Sequence, residues 1–328
     1  MTPKAGEVVV ADLQKRSEKG LEFAKQMLQA EKMEHPKLRG SLEHYLANWR
    51  DFTHPGLFSL ACETVGGEPD AVVPAQAALA MMAAAFDIQD DIIDKSKVKL
   101  NAPTVYGKFG ADMAILLGNA FLIEGIKLLV DATKMFPREK EQKVLDKTKQ
   151  LLFEVGNAHA LEVGMKKKGK IMPSDYLKIT EMKAACLEVD MYLGAVFGGG
   201  EENEVQILAK VGRTLGVLAT LRDDLIDVFD IEELCQRVAV NDLPLPLIFA
   251  MQDLDAKEKI LSITSKPQMT DEDVAELVDV TLATKPVGDL KDKMQFLIKE
   301  GFGILSGLQD TKPHNKLQRL LSFMIEDL

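Results

Sequence analysis

The chain reads as an all-α protein, one domain over residues 1–328, and three observations predict it. Apolar residues recur at three- and four-residue spacing almost from end to end. Pro and Gly fall between those runs, at Gly66-Gly67-Glu68-Pro69, Ala102-Pro103, Met172-Pro173 and Gly198-Gly199-Gly200. No alternating stretch is long enough to make a convincing strand, and no linker is long or polar enough to divide domains.

Taken in order, the periodicity places helices over 8–32, 37–49, 56–65, 70–94, 110–132, 138–167, 174–197, 203–230, 243–265, 271–284, 288–306 and 313–326. Ser174-Asp175 and Thr270-Asp271 have the character of helix N-caps, since short polar side chains there accept orphan backbone N–H groups. The segments 70–94 and 203–230 are too apolar for surface helices. The run from Ala77 to Phe86 is apolar on all sides and implies burial. Each of these two segments ends in a burst of carboxylates. Burying unpaired carboxylates is costly, so such helix ends call for cations.

Composition bounds the function. With 46% hydrophobic residues, 328 residues suffice for one large core. A formal net charge of −11 argues against nucleic acid or an anionic membrane surface as main partner. Cys62, Cys186 and Cys235 are scattered, without CxxC spacing, as expected for reduced thiols in a cytoplasmic protein. The N-terminal residues have no signal-peptide pattern, and no uninterrupted apolar run predicts a membrane span.

The first acidic burst is Asp87, Asp90, Asp91 and Asp94; Asp90 and Asp94 lie four apart and share a helix face. The second is Asp223, Asp224 and Asp227, with Asp230 following. Hard oxygen ligands on fixed helices suit Mg²⁺, which bridges carboxylates and phosphates while keeping several waters. The expected metal ligands are Asp90, Asp91, Asp94, Asp223, Asp224 and Asp227.

These two DDxxD motifs, their separation, and the flanking Glu63–Gly67, Pro103–Val105 and Asp175-Tyr176 to Lys183 resemble a trans-isoprenyl diphosphate synthase of the polyprenyl synthetase family, from about residue 40 to the end. The resemblance implies an isoprenoid synthase helical bundle around a central cavity, and a homodimer. It implies that both Asp-rich helices hold Mg²⁺ on an allylic isoprenoid diphosphate. Ionisation then leaves a carbocation for isopentenyl diphosphate to attack. Asp90, Asp94, Asp223 and Lys183 are the implied catalytic groups. Lys99, Lys183 and, as the best match for a further family lysine, Arg237 would grip the allylic diphosphate. Ala85 and Phe86 occupy the positions that set product length in the family, and Met82 lies a turn further back.

The departures cluster on the acceptor side. Where the family carries Gly-Gly-Lys-Arg-x-Arg-Pro, this chain has Trp49 to Pro55, with Asp51 at the Lys and His54 at the final Arg. A family His before the first motif is Ala83, and a family Arg-Arg pair is Lys99-Leu100. With the metal side intact and the acceptor side eroded, the favoured expectation is a terpene cyclase or lyase-type outcome. The alternatives are a chain-elongating synthase with an acceptor site rebuilt from Arg39, Arg50 or Lys37, and a non-catalytic subunit. His35, His44, His159 and His314 show no ligand spacing, and Lys166–Lys168 reads as a solvated helix end.

Overall fold

A computed structural model describes residues 5–168, 172–229, 234–235, 237–238, 243–266 and 269–326. Helices dominate it, as the periodicity predicts. They are α1 (Ala5–Ala30), α2 (Pro36–Asn48), α3 (Thr53–Thr64), α4 (Val73–Ile93), α5 (Val105–Phe109), α6 (Ala111–Thr133), α7 (Arg138–Lys168), α8 (Pro173–Lys183), α9 (Ala185–Phe197) and α10 (Glu202–Asp227). After these come α11 (Leu245–Ala250), α12 (Leu254–Thr264), α13 (Asp271–Leu282), α14 (Lys285–Leu305) and α15 (Lys312–Phe323). A two-residue antiparallel ribbon, β1 (Val98–Lys99) with β2 (Ala102–Pro103), is too short for alternation to announce it.

Several boundaries correct the sequence reading. The segment 174–197 is two helices, because the chain breaks at Ala184, where α10 crosses closely. A Cβ on Gly216 would lie 2.8 Å from Ala184 Cα, so only glycine permits that approach. The segment 243–265 is likewise two helices, and Asp253 caps the second by accepting from the Ala256 N–H. Ser174 and Asp175 do not cap α8, which starts at Pro173, a residue with no N–H to satisfy. Thr270 does cap α13, in a reciprocal box with Asp273.

The chain forms two compact units. The first holds the chain up to Gln150 with Val189–Ala209 and Thr311–Pro313. Its centre is α4, whose run of Ala and Met is buried almost throughout. Small residues let α6 approach: a Cβ on Gly125 would sit 2.9 Å from the Ala78 carbonyl. The α1 helix is fastened by buried Gln76, which donates to the carbonyls of Arg16 (2.8 Å) and Pro55 (2.7 Å). Cys62 is buried there, and burial pushes its thiol up to about 11.

The second unit comprises Leu151–Glu188, Lys210–Asp310 and the chain from His314. One apolar cluster within it joins Leu247, Ile260, Val274, Leu277 and Val287. Arg213 cross-links four helices of this unit. It donates to Glu188 on α9 (2.6 Å), to both oxygens of Glu154 on α7 (2.8 and 3.0 Å) and to the Glu181 carbonyl on α8 (2.7 Å). That network fixes the end of α8, where Lys183 sits.

Two segments are long and apolar enough to cross a membrane by length and composition, Pro69–Ile93 and Ala111–Thr133. The most apolar window of the first is 67% buried inside the protein and that of the second 33%, so α4 is a core helix, whereas α6 leaves Ile115, Leu116, Ile123 and Ile126 exposed.

Candidate active site

In the first unit, α4 delivers Asp87, Asp90 and Asp91 in its last two turns, and Asp94 is its C-cap. Asp94 keeps helical angles, φ −85° and ψ −3°, so it still shares a face with Asp90. The chain then reverses. Lys95 has φ 59°, and Leu100 and Asn101 have φ 50° and 61°, the double left-handed turn that suits a two-residue hairpin. This returns Lys99 to the motif, where its ammonium donates to Asp87 at 2.5 Å and lies 3.8 Å from Asp91. Asp91 is buried, and burial, then Asp87, raise its carboxyl to about 7. Burial opposes the charge of Lys99, but Asp87 beside it holds the ammonium above its usual range.

Tyr45 belongs to the same neighbourhood. Burial, then the charges of Asp87, Asp51 and Asp91, hold its phenol well above the usual range, so it stays a neutral donor. Asp51 accepts from the Thr53 N–H at 3.0 Å, at the start of α3. His54 Nδ1 lies 2.7 Å from Asp190 Oδ2. Asp190 is 1% exposed, its Oδ1 has no partner, and burial raises its carboxyl to about 6 despite the histidine. Sequence reasoning missed Tyr45 and Asp190. The signal for Asp190 was a second carboxylate, two residues after Glu188, in a helix otherwise apolar to Phe197.

In the second unit, α10 ends with the other motif. Asp224 Oδ1 accepts from the Tyr176 hydroxyl at 3.1 Å and from Arg237 Nη1 at 3.0 Å. The same Nη1 donates to Asp227 at 2.6 Å. Burial raises the Asp224 carboxyl to about 6 against the pull of Arg237. Asp223 reaches solvent, yet partial desolvation and then the charges of Asp227 and Asp224 raise it to about 6 as well. Arg222 turns away, donating to the carbonyls of Phe323 (3.0 Å) and Glu326 (2.8 Å) with its guanidinium 4.5 Å from the Phe323 ring. Lys183 pairs with Glu162 at 2.5 Å. Asp230 lies outside the described residues, as do the side chains of Lys166–Lys168.

The other expected residues divide cleanly. Met82 and Ala85 are buried, against Gly125 and Gly118 of α6, and Phe86 is half-buried. Leu100 is 85% exposed. Of the basic groups considered for a rebuilt acceptor site, Arg39 is engaged with Glu43 and the carbonyls of Gln29 and Glu31. Arg50 and Lys37 are exposed.

Among the described residues, no three His, Cys, Asp or Glu side chains converge as a ready-made metal cage. The donors nonetheless fit Mg²⁺, which takes one or two carboxylates together with substrate phosphates and waters. Solvent-reaching Asp223, crowded by two like charges, is such a donor, and so are half-buried Asp90 and Asp94.

Architecture and site define a class, an all-helical isoprenoid synthase fold with an Asp-rich motif closing each of two long apolar helices. The family description polyprenyl synthetase matches residues 53–281. The chain belongs to that family and is an enzyme. A geranylgeranyl diphosphate synthase of Methanosarcina mazei is 26% identical over 274 residues, covering 83% of this chain and 84% of that one. The heterodimeric geranylgeranyl pyrophosphate synthase large subunit 1 of Arabidopsis thaliana is 30% identical over 217 residues, 63% of this chain and 58% of that one. The crystal structure of geranylgeranyl pyrophosphate synthetase from Pyrococcus horikoshii superposes with a TM-score of 0.85 at 22% identity, over 99% of this chain and 100% of that one.

Proposed function

We propose that this enzyme is a Mg²⁺-dependent, chain-elongating isoprenyl diphosphate synthase. The observation that carries the reading is the family match across residues 53–281, which spans both Asp motifs; the relatives described above are named as synthases. This reverses the preference for a lyase-type outcome that the eroded acceptor positions suggested. When bound, Mg²⁺ would neutralise the charge developing on the departing diphosphate. Asp90, Asp94 and Asp223 would hold it. Lys99 would leave its exposed pairing with Asp87 to meet an allylic phosphate, and Lys183 would serve the same group. Ala85 and Phe86, above buried Met82, would bound the space for the growing chain. The acceptor's diphosphate would be met by exposed Arg50 or Lys37, since Arg39 is engaged elsewhere.

The uncovered apolar face of α6 supports a second copy of this chain as partner. A purely structural subunit has no need of two complete Asp motifs, which weighs against a non-catalytic role.

The lyase reading keeps one specific support. Asp51 and the Asp190-bound His54 stand where the family places basic residues, so those two positions carry a carboxylate and a carboxylate-paired histidine. Incubation with Mg²⁺, farnesyl or geranylgeranyl diphosphate and labelled isopentenyl diphosphate separates the two. Elongated labelled product is expected. Pyrophosphate release with no incorporation of label would return the lyase.

A further inference from the structure

In the second motif, Asp223, Asp224 and Asp227 bring three carboxylates together at the end of α10. Arg222, the nearest cation in sequence, donates to the carbonyls of Phe323 and Glu326, and its charge still reaches Asp223. Arg237 bridges Asp224 and Asp227 through one nitrogen. Its side chain is 13% exposed and that of Asp224 5%. The second oxygen of Asp224 is buried and accepts no hydrogen bond. A Mg²⁺ ion that keeps its waters cannot reach an oxygen sealed from solvent. The first oxygen is already taken by Tyr176 and Arg237.

We infer that Arg237 is a permanent counter-ion of this motif, holding Asp224 and Asp227 out of metal coordination and leaving Asp223 as its one metal-facing carboxylate. The inference rests on the reading that the motif meets Mg²⁺. It assigns Arg237 a different task from gripping substrate phosphate. Arg237 thereby keeps the motif from collecting metal without substrate.

The test uses Mn²⁺ as the probe and reads binding, not product. In full-length protein carrying Asp90→Asn and Asp94→Asn, which silences the first motif, free Mn²⁺ is followed by electron paramagnetic resonance without diphosphate. Adding Arg237→Gln should tighten Mn²⁺ binding by about tenfold or more, and adding Asp224→Asn to that should abolish the gain. No gain, or a gain that survives Asp224→Asn, overturns the assignment. Should Arg237→Gln lose its helical circular dichroism, Asp223→Asn and Asp227→Asn are compared with Arg237 in place, using Mn²⁺ and inorganic pyrophosphate. Asp223→Asn should weaken binding about tenfold and Asp227→Asn by no more than about threefold; equal losses overturn it. Metal affinity is independent of chain elongation, so a protein that shows the gain but makes no elongated product discards the proposed reaction and keeps Arg237's role.

Discussion

The two Asp motifs look alike in sequence and differ in how each is neutralised. The first is met by Lys99, a flexible cation on a hairpin, in a pair whose side chains are 52% and 43% exposed. The second is met by Arg237, tucked against a carboxylate that is 5% exposed. An exposed pair is worth little, about 0–1 kcal/mol, and exchanges readily with solvent or ligand. A buried pair costs several kcal/mol to break, because one partner is left charged and dry. One motif therefore carries a cation it can release, and the other a cation it keeps.

Four experiments break or sharpen that contrast. The largest effect falls on chemistry: Asp90→Ala with Asp94→Ala should lower kcat by well over ~10²-fold, since more than one positioning donor is removed. Unimpaired turnover would make the first motif a mere acidic surface. Next in size, Arg237→Gln should destabilise the fold by roughly 3–5 kcal/mol, and Lys99→Gln by no more than about 1 kcal/mol, in urea titrations. Similar losses would erase the difference between the motifs.

The third concerns pH. Asp190 has its carboxyl raised to about 6, against about 3.9 in an unfolded chain. The folded state therefore binds the proton more tightly, and ionising Asp190 costs stability. That cost is absent below about pH 4, grows as pH rises toward 6, and is complete above it. Asp190→Asn should thus gain on the wild type by roughly 1–3 kcal/mol between pH 4 and pH 7. A difference that does not change with pH would show that His54 offsets the burial fully. The smallest effect is Tyr176→Phe. It removes one of two donors to Asp224 Oδ1 and should cost roughly 1–2 kcal/mol, with a larger loss if Arg237 is also replaced. Simple additivity in that double mutant would mean the two donors act separately.

Much of this was legible beforehand because its causes are local. Helical periodicity gave the helices, and carboxylates ending two apolar runs marked both motifs. What stayed hidden depends on tertiary pairing. His54 and Asp190 meet across 136 positions, and no spacing rule links them. Lys183 meets Glu162, twenty-one positions earlier on α7, at the end of α8 that Arg213 ties down. Arg237 was matched only as the best stand-in for a family lysine, yet it bonds two of the predicted ligands. The break at Ala184 depends on a glycine more than thirty residues away, at 216. The hairpin after α4 was missed because its turn reads Leu-Asn where Asn-Gly would have announced it. The functional preference went astray for a different reason: substitutions at the acceptor positions show what was lost there, not what replaced it.

The hairpin has one more implication, for how such an enzyme changes over evolutionary time. Leu100 sits at its tip with φ 50° and its side chain in water. A branched residue in that conformation is mildly strained, by about 1 kcal/mol, so nearly any replacement is tolerated and Gly or Asn would relieve it. Meanwhile the backbone reversal, not the side chain at 100, returns Lys99 to Asp87. Position 100 is therefore free to drift in charge and size while its neighbour's place is held. The charge and bulk beside the first motif can be revised there one mutation at a time, without drawing on the stability of the helical core.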